Sequence, residues 1–309
     1  MPEFDNFVPQ PTADGSFTFF SQEFSESFHS HFGAKQESYF KFVEPTQLAQ
    51  AALKPFVRLL DICYGLGYNT AAALQTIWAV NPSCHVELIG LELNPAVPQA
   101  AIANSLFDHW NYEYTAILTQ LAFEQQVQTE RLEAKLLIGD ARVSIQAVNQ
   151  SGFLADAIFL DPFSPPQCPH LWTVEFLQQV SVCLQENGLL ATYSCAAAVR
   201  TALILAGLRI GSTPPVGRRS PGTVAAPNQD TKFSASPPLL IPVSTLLPPL
   251  SPAEQEHLLT RAAIPYRDPQ LHDSPDVIIM RRQQEQQACL LEPTSRWRKR
   301  WLFNTQLRQ

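Results

Sequence analysis

The chain has 309 residues, 45% of them hydrophobic and 16% charged, a balance that buries one substantial core and excludes a disordered polymer. Its 21 basic and 28 acidic residues leave a formal net charge of −7, so no global positive field draws it onto nucleic acid or anionic membrane, and contact with a polyanion has to come from local patches. No apolar run approaches the roughly 20 residues that a bilayer span needs, and MPEFDNFVPQP lacks the basic and apolar regions of a signal peptide; a cytoplasmic protein with no membrane partner is the expectation.

In chain order, residues 1–55 stand outside any regular alternation. TADGSFTFFSQEF, from Thr12, places turn chemistry between two aromatic runs and predicts a hairpin, the start of an N-terminal lid or platform. His29 and His31 form an H-x-H pair, but further ligands at metal spacing are missing, so no metal is expected. Six cysteines without a C-x-x-C pair read as reduced thiols.

From residue 56 the pattern is strand, loop, helix. Phe56 to Ile62 is a short apolar run, followed by a turn with two glycines and the helical TAAALQTIWAV. His85 to Leu93 predicts a second strand, Pro95 opens a helix running to about Phe107, and Ala134 to Asp140 is a third strand. Asp156 to Asp161 is a fourth, Leu171 to Leu184 a helix, Gly188 to Ser194 a fifth strand, and AAAVRTALILAG a helix that Gly207 ends. Such alternation predicts an α/β fold, a mostly parallel, doubly wound sheet spanning 56–235, with ligands bound outside the carboxyl ends of its strands. Ten of the 26 prolines fall between Pro214 and Pro252 and mark the way out of this domain. The remainder, 236–309, reads as a small appendage: a helix from Ser251, a strand at Asp276 to Met280, and the basic tail RWRKRW from Arg296.

The strand tips carry the chemistry. In DICYGLGYNT, Asp61 closes the first strand, and Gly65 and Gly67 let the backbone approach a ligand at a helix N-terminus. Glu92 ends the second strand, where a ribose diol presents two hydroxyl donors. These features alone suit a dinucleotide or S-adenosylmethionine equally. Thr70 stands where the dinucleotide pattern has its last glycine or alanine, and Asp140 at the third strand tip can accept from an adenine amino group; both favour S-adenosylmethionine. The fourth strand runs into DPFSPP. Asp161 there can hold an amine and take its proton, with Phe163 stacking on a planar substrate.

TADGSFT, FSESFHSHFGAKQESYF, DICYGLGYN, DAIFLDPFSP, LWT, and GLLATYSCAAAVR with VGRR occur in this order. Together they resemble, over roughly residues 10 to 227, the methyltransferase domain of the tRNA 5-methylaminomethyl-2-thiouridine biosynthesis proteins, the MnmC family. The resemblance implies a Rossmann-like class I methyltransferase fold. It implies N-methylation, from S-adenosyl-L-methionine, of the aminomethyl group on the wobble uridine of tRNA. By position it assigns Asp61, Tyr64, Gly65, Gly67, Asn69, Glu92, Asp140, Ala141 and Asp161 to the cofactor, and Asp161 with Phe163 to catalysis. Glu37, Tyr39, Arg200, Arg218 and Arg219 fall to the substrate, the arginines toward phosphate. Cys63 replaces the usual glycine of the loop, and the flavin-dependent oxidase domain of bifunctional members has no counterpart here, so a stand-alone methylating form without FAD is expected. Another methyltransferase, an aminopropyltransferase acting on a small amine, a nicotinamide dehydrogenase and a silent RNA-binding module share this fold. Seven of the 21 basic residues lie between Arg281 and Arg308, which makes the tail the local cationic patch.

Overall fold

The computed structural model describes residues 7–108, 110–217, 220–228 and 247–306. The N-terminal segment forms two small antiparallel pairs: β1 (Gln10–Pro11) with β2 (Phe17–Thr18), and β3 (Phe20–Ser21) with β4 (Glu26–Ser27). The predicted hairpin is the first of these. Asp14 in its turn accepts from the Thr12 and Ser16 hydroxyls and from the Ser16 and Gln36 amides, which ties the turn to helix α1 (Ala34–Glu37). A π-helical stretch, Ser38–Val43, continues α1, and α2 (Leu48–Ala51) precedes the sheet.

Strands β5 (Phe56–Ile62), β6 (His85–Glu92), β7 (Gln126–Gln128), β8 (Leu132–Ile138), β9 (Ala155–Leu160), β10 (Leu184–Thr192), β11 (Leu208–Thr213) and β12 (Gly222–Pro227) make one sheet in the order β11-β12-β10-β9-β5-β6-β8-β7. β8, β6, β5, β9 and β10 run parallel, whereas β7 and β12 are antiparallel to their neighbours. The order reverses between β5 and β9, so the crevice expected of a doubly wound sheet opens where those two strands end. Successive residues of the central strands are apolar because both faces are covered: Leu59 and Leu88 pack into the core on one side, Leu60 and Ile158 into the core on the other.

The first face is covered by α3 (Tyr68–Val80), α4 (Ala96–Ala103) and α5 (Tyr112–Glu124), the second by α6 (Ala141–Gln150), α7 (Val174–Val182) and α8 (Ala197–Leu205). Several bounds differ from the sequence reading. The helix opened by Pro95 stops at Ala103, and the helix expected from Leu171 is a 3-10 turn, Pro169–Trp172, followed by α7 with Thr173 as its N-cap. β10 starts at Leu184, four residues before Gly188. The hairpin of β11 and β12 was not expected, since its loop and β12 fall in the proline-rich stretch that begins at Pro214.

Beyond β12 lie α9 (Pro252–His257), α10 (Pro275–Ala288) and α11 (Thr294–Gln306). The predicted strand at Asp276–Met280 is the start of α10. Pro275 in the first turn and Asp276 near the helix N-terminus are helix-start signals, and of the consecutive apolar residues only Ile278 is buried. A consecutive apolar run without alternation fits a helix as well as a strand. No helix among the described residues is long and apolar enough to cross a membrane.

Candidate active site

At the carboxyl ends of β5, β6 and β9 lies a cavity of about 710 Å³. Cys63, Gly65, Glu92, Asp161 and Phe163 of the parallel sheet line it, and the N-terminal segment supplies Phe24, Glu26, Phe28, Phe32 and Glu37. Its lining includes the acidic residues Glu23, Glu26, Glu37, Glu92 and Asp161 and, among the described residues, neither lysine nor arginine. Such a lining attracts cations and repels a pyrophosphate, which sets it against the nicotinamide reading.

The glycine loop follows β5 as a chain of left-handed backbone. Cys63, Gly65 and Gly67 have φ of 66°, 58° and 100°. Gly67 is the N-cap of α3, and a Cβ there would lie 2.7 Å from the Tyr64 hydroxyl, so glycine is required for close packing on a buried ring. Glu92 secures the loop from the neighbouring strand: its carboxylate accepts from the Gly65 amide at 2.8 Å and the Asn94 amide at 2.9 Å. Burial raises the Glu92 pKa. Asp61 is fully buried and does not line the cavity. It accepts from the Thr70 hydroxyl at 2.7 Å, and burial pushes its pKa up to about 7. The residue that departs from the dinucleotide pattern thus serves as the hydroxyl partner of the strand-tip acid.

Asp161 follows β9, its amide bonded to the Ile62 carbonyl at 3.1 Å, and Asn69 in the first turn of α3 donates to its carboxylate at 2.9 Å. The DPFSP loop is braced from several sides. The Tyr193 hydroxyl donates to the Pro162 carbonyl at 2.8 Å, the Trp172 indole to the Phe163 carbonyl at 2.8 Å, and the Ser164 amide to Glu26 at 2.9 Å, with the Ser164 hydroxyl on the same carboxylate. Phe163 stacks on Phe24, centroids 4.4 Å apart and planes 15° apart, with Phe28 against it edge-on at 5.0 Å. One face of the ring expected to receive a substrate is therefore covered by the N-terminal segment.

The other expected residues divide. Glu37 lines the cavity, and its carboxylate accepts from the Ser30 amide at 2.9 Å. Tyr39 is exposed and outside the lining. Asp140 caps α6 by accepting from the Arg142 amide and pairs with the Arg142 guanidinium at 2.8 Å; burial acts upward on its pKa, but these bonds outweigh it and hold the carboxyl low. Ala141, beside it, is buried at the start of α6. Arg200 is a correction. At 2% exposure it pairs with Glu254 at 2.7 Å and donates to Thr223 Oγ1 and the Gly222 carbonyl, a strut joining α8, β12 and α9 in place of the expected phosphate contact. Arg218 and Arg219 lie outside the described residues. In the basic tail, Arg281, Arg282 and Arg300 bond to Asp273, the Ile264 carbonyl and Glu292, so the cationic patch is smaller than its composition suggests.

Phe24, Glu26, Phe28, Trp172 and Tyr193 belong to the site and were not assigned roles from sequence; the quoted FSESF and LWT stretches contain four of them and were the available signal. Among the described residues, no group of three or more His, Cys, Asp or Glu is placed to hold a metal ion. S-adenosylmethionine passes a test of fit. The cavity lining is acidic among the described residues, with Gly65 of the glycine loop at its floor, which suits a ligand carrying a sulfonium and an ammonium.

Comparison with known proteins agrees. A family described as S-adenosyl-L-methionine-dependent methyltransferase matches residues 104–228. An uncharacterized protein of Methanocaldococcus jannaschii is 29% identical over 283 residues, covering 89% of this chain and 71% of its own length. The bifunctional tRNA 5-methylaminomethyl-2-thiouridine biosynthesis protein MnmC of Paracidovorax citrulli is 31% identical over 210 residues, and the chain spans about a third of it, 32%. The crystal structure of MNMC2 from Aquifex aeolicus superposes with a TM-score of 0.76 at 32% identity, covering 93% of this chain and 87% of that one. Sheet order, glycine loop and this similarity together place the chain in the MNMC2-like family of Rossmann-fold S-adenosyl-L-methionine-dependent methyltransferases.

Proposed function

We propose that this chain methylates the primary amine of a 5-aminomethyl group on the wobble uridine of tRNA, with or without the 2-thio group, in the cytoplasm. The relatives' names supply the substrate class. The observation that carries the reading is the cavity itself, five acidic residues and, among the described residues, no lysine or arginine, closed by aromatic rings beside Asp161. A flat uracil suits the rings and an aliphatic amine suits the acids.

In this reading Gly65, Gly67 and Asn69 form the cofactor cradle, Glu92 takes the ribose hydroxyls, and Asp140 and Ala141 flank the adenine. Asp61 and Tyr64 support the cradle from beneath. When bound, S-adenosylmethionine supplies an electrophilic methyl group; neither metal nor flavin takes part. Asp161, fixed by Asn69, accepts a hydrogen bond from the amine and so points its lone pair at the methyl carbon. As the C–N bond forms, the methyl's bond to the sulfonium sulfur would break and leave a neutral thioether, while the nitrogen's surplus proton passes to that carboxylate and on to solvent. Residues 1–55 act as the lid that excludes water, with Glu37 and Tyr39 on its substrate side, and Arg218 and Arg219 contact phosphate.

Nucleoside mass analysis tests this after incubating the protein with S-adenosylmethionine and tRNA bearing 5-aminomethyluridine. The expected product is heavier by one methylene, and Asp161→Asn lowers kcat about 100-fold or more with cofactor Kd nearly unchanged. Equal loss of turnover and cofactor binding would make Asp161 a structural residue. Aminopropyl transfer to a small polyamine draws on the same five carboxylates; turnover of decarboxylated S-adenosylmethionine with a polyamine, and none with tRNA, would establish that reading instead.

A further inference from the structure

The helical segment that brings Glu37 into the cavity has an outer face at odds with its surroundings. From Ala34 to Phe42 burial follows a helical period: Ala34, Glu37, Ser38, Lys41 and Phe42 turn inward. The outward positions are Lys35, Gln36, Tyr39 and Phe40, with Phe32 one turn earlier. A solvent face normally carries polar side chains, yet Phe32, Tyr39 and Phe40 are 53%, 42% and 38% exposed. Tyr39 and Phe40 are set edge to face with centroids 4.9 Å apart. The base of Phe32 is backed by Gly217, where a Cβ would come within 2.6 Å of the Phe32 Cβ. Residues 38–43 are π-helical, a rare form that is frequent at functional sites.

We propose that Phe32, Tyr39 and Phe40 form a stacking platform for the single-stranded nucleotides that flank the target base; the proposal rests on the RNA-methylation reading. Continuity and charge identify the occupant. Phe32 belongs both to the cavity lining and to the exposed face, so a strand whose target base enters the cavity passes over it. The one carboxylate between Phe32 and Phe40, Glu37, is turned into the cavity, and the outward charge is the Lys35 ammonium, held 4.8 Å from the Trp110 ring centroid. Aromatic faces with a cation beside them accept any base by stacking and leave the backbone on the positive side. The cavity, lined by carboxylates, repels phosphate and keeps that backbone outside.

The test is fluorescence anisotropy of the full chain with a labelled single-stranded RNA of about eight nucleotides, a length within the site sizes of stacking modules. Phe32→Ala and Phe40→Ala each weaken binding about tenfold, Phe40→Trp restores it, Phe40→Leu does not, and melting temperatures stay at the wild-type value. Binding within twofold of wild type in the double alanine variant, or equal rescue by leucine and tryptophan, overturns the platform, the latter pointing to an apolar protein partner. Methyl transfer to tRNA by a wild-type chain that ignores the oligonucleotide leaves the enzyme reading standing and refutes the platform. Oligonucleotide binding lost in the alanine variants, without any methyl transfer by the wild type, does the reverse.

Discussion

Replacing Arg200 by methionine separates a strut from a phosphate contact. The guanidinium is 2% exposed, lies 2.7 Å from Glu254, and donates to Thr223 Oγ1 at 3.0 Å and the Gly222 carbonyl at 3.1 Å. Breaking a buried ion pair from one side costs about 3–5 kcal/mol. Glu254 keeps its bonds from Ser212 and Ser251 and is partly solvated, which places the ion-pair share near the lower end. Each backbone or hydroxyl acceptor left without its donor adds about 1 kcal/mol. Arg200→Met therefore loses about 5 kcal/mol in urea denaturation with an unchanged m-value. Burial acts upward on the Glu254 carboxyl, but its hydrogen bonds outweigh that and bring its pKa from 4.5 to about 2. Its contribution is thus present above pH 4.5 and lost as pH falls toward 2, and the variant flattens that acid limb in part, because Ser212 and Ser251 remain. A loss below about 1 kcal/mol, together with weaker tRNA binding and a salt slope reduced by about 1, would refute the strut and restore Arg200 to the RNA.

Three further outcomes follow from the site. Cys63 holds a φ of 66°, a conformation that costs a non-glycine residue about 1 kcal/mol, so Cys63→Gly raises stability by up to that amount in denaturant titration while Cys63→Val lowers it; the reverse order contradicts the loop geometry. Asp61 has a folded pKa of about 7 against an ordinary 3.8, so the stability linked to its neutral form is complete below pH 3.8 and is lost as pH rises through about 7. Asp61→Asn removes this slope and is the more stable protein at pH 8, by at most about 4 kcal/mol; a parallel pair of stability-versus-pH curves would show that Asp61 does not titrate in this way. Asn69→Ala, which leaves Asp161 without that donor, lowers kcat more than it raises the KM for tRNA, whereas a change confined to KM would assign Asn69 to binding.

The strand tips were legible because a parallel α/β alternation announces itself in short apolar runs and sends ligands to the carboxyl ends. Asp61, Glu92 and Asp161 follow from that rule whatever the family. The roof of the site was not legible, since Glu26 meets Ser164 across 138 positions and Phe24 meets Phe163 only after the chain has folded back. No local spacing encodes such contacts. The fate of charge was equally hidden. Arg200 and Arg300 look alike in sequence to arginines that meet phosphate, and only their distances to Glu254 and Glu292 show them bound to the protein's own acids. At Asp276–Met280 periodicity misled, because four apolar residues in a row satisfy either element and the deciding signal was the preceding proline.

Arg142 carries a consequence for protein engineering. Its guanidinium pairs with Asp140 at the tip of β8, with the wholly buried Asp268, and with the Asp273 carbonyl. Residues 268–273 thus complete a joint whose other half is the cap of α6. Anyone grafting the methyltransferase body onto another scaffold has to place the cut after Asp273 and carry both halves of that joint, or supply a neutral residue for Arg142 in the same step.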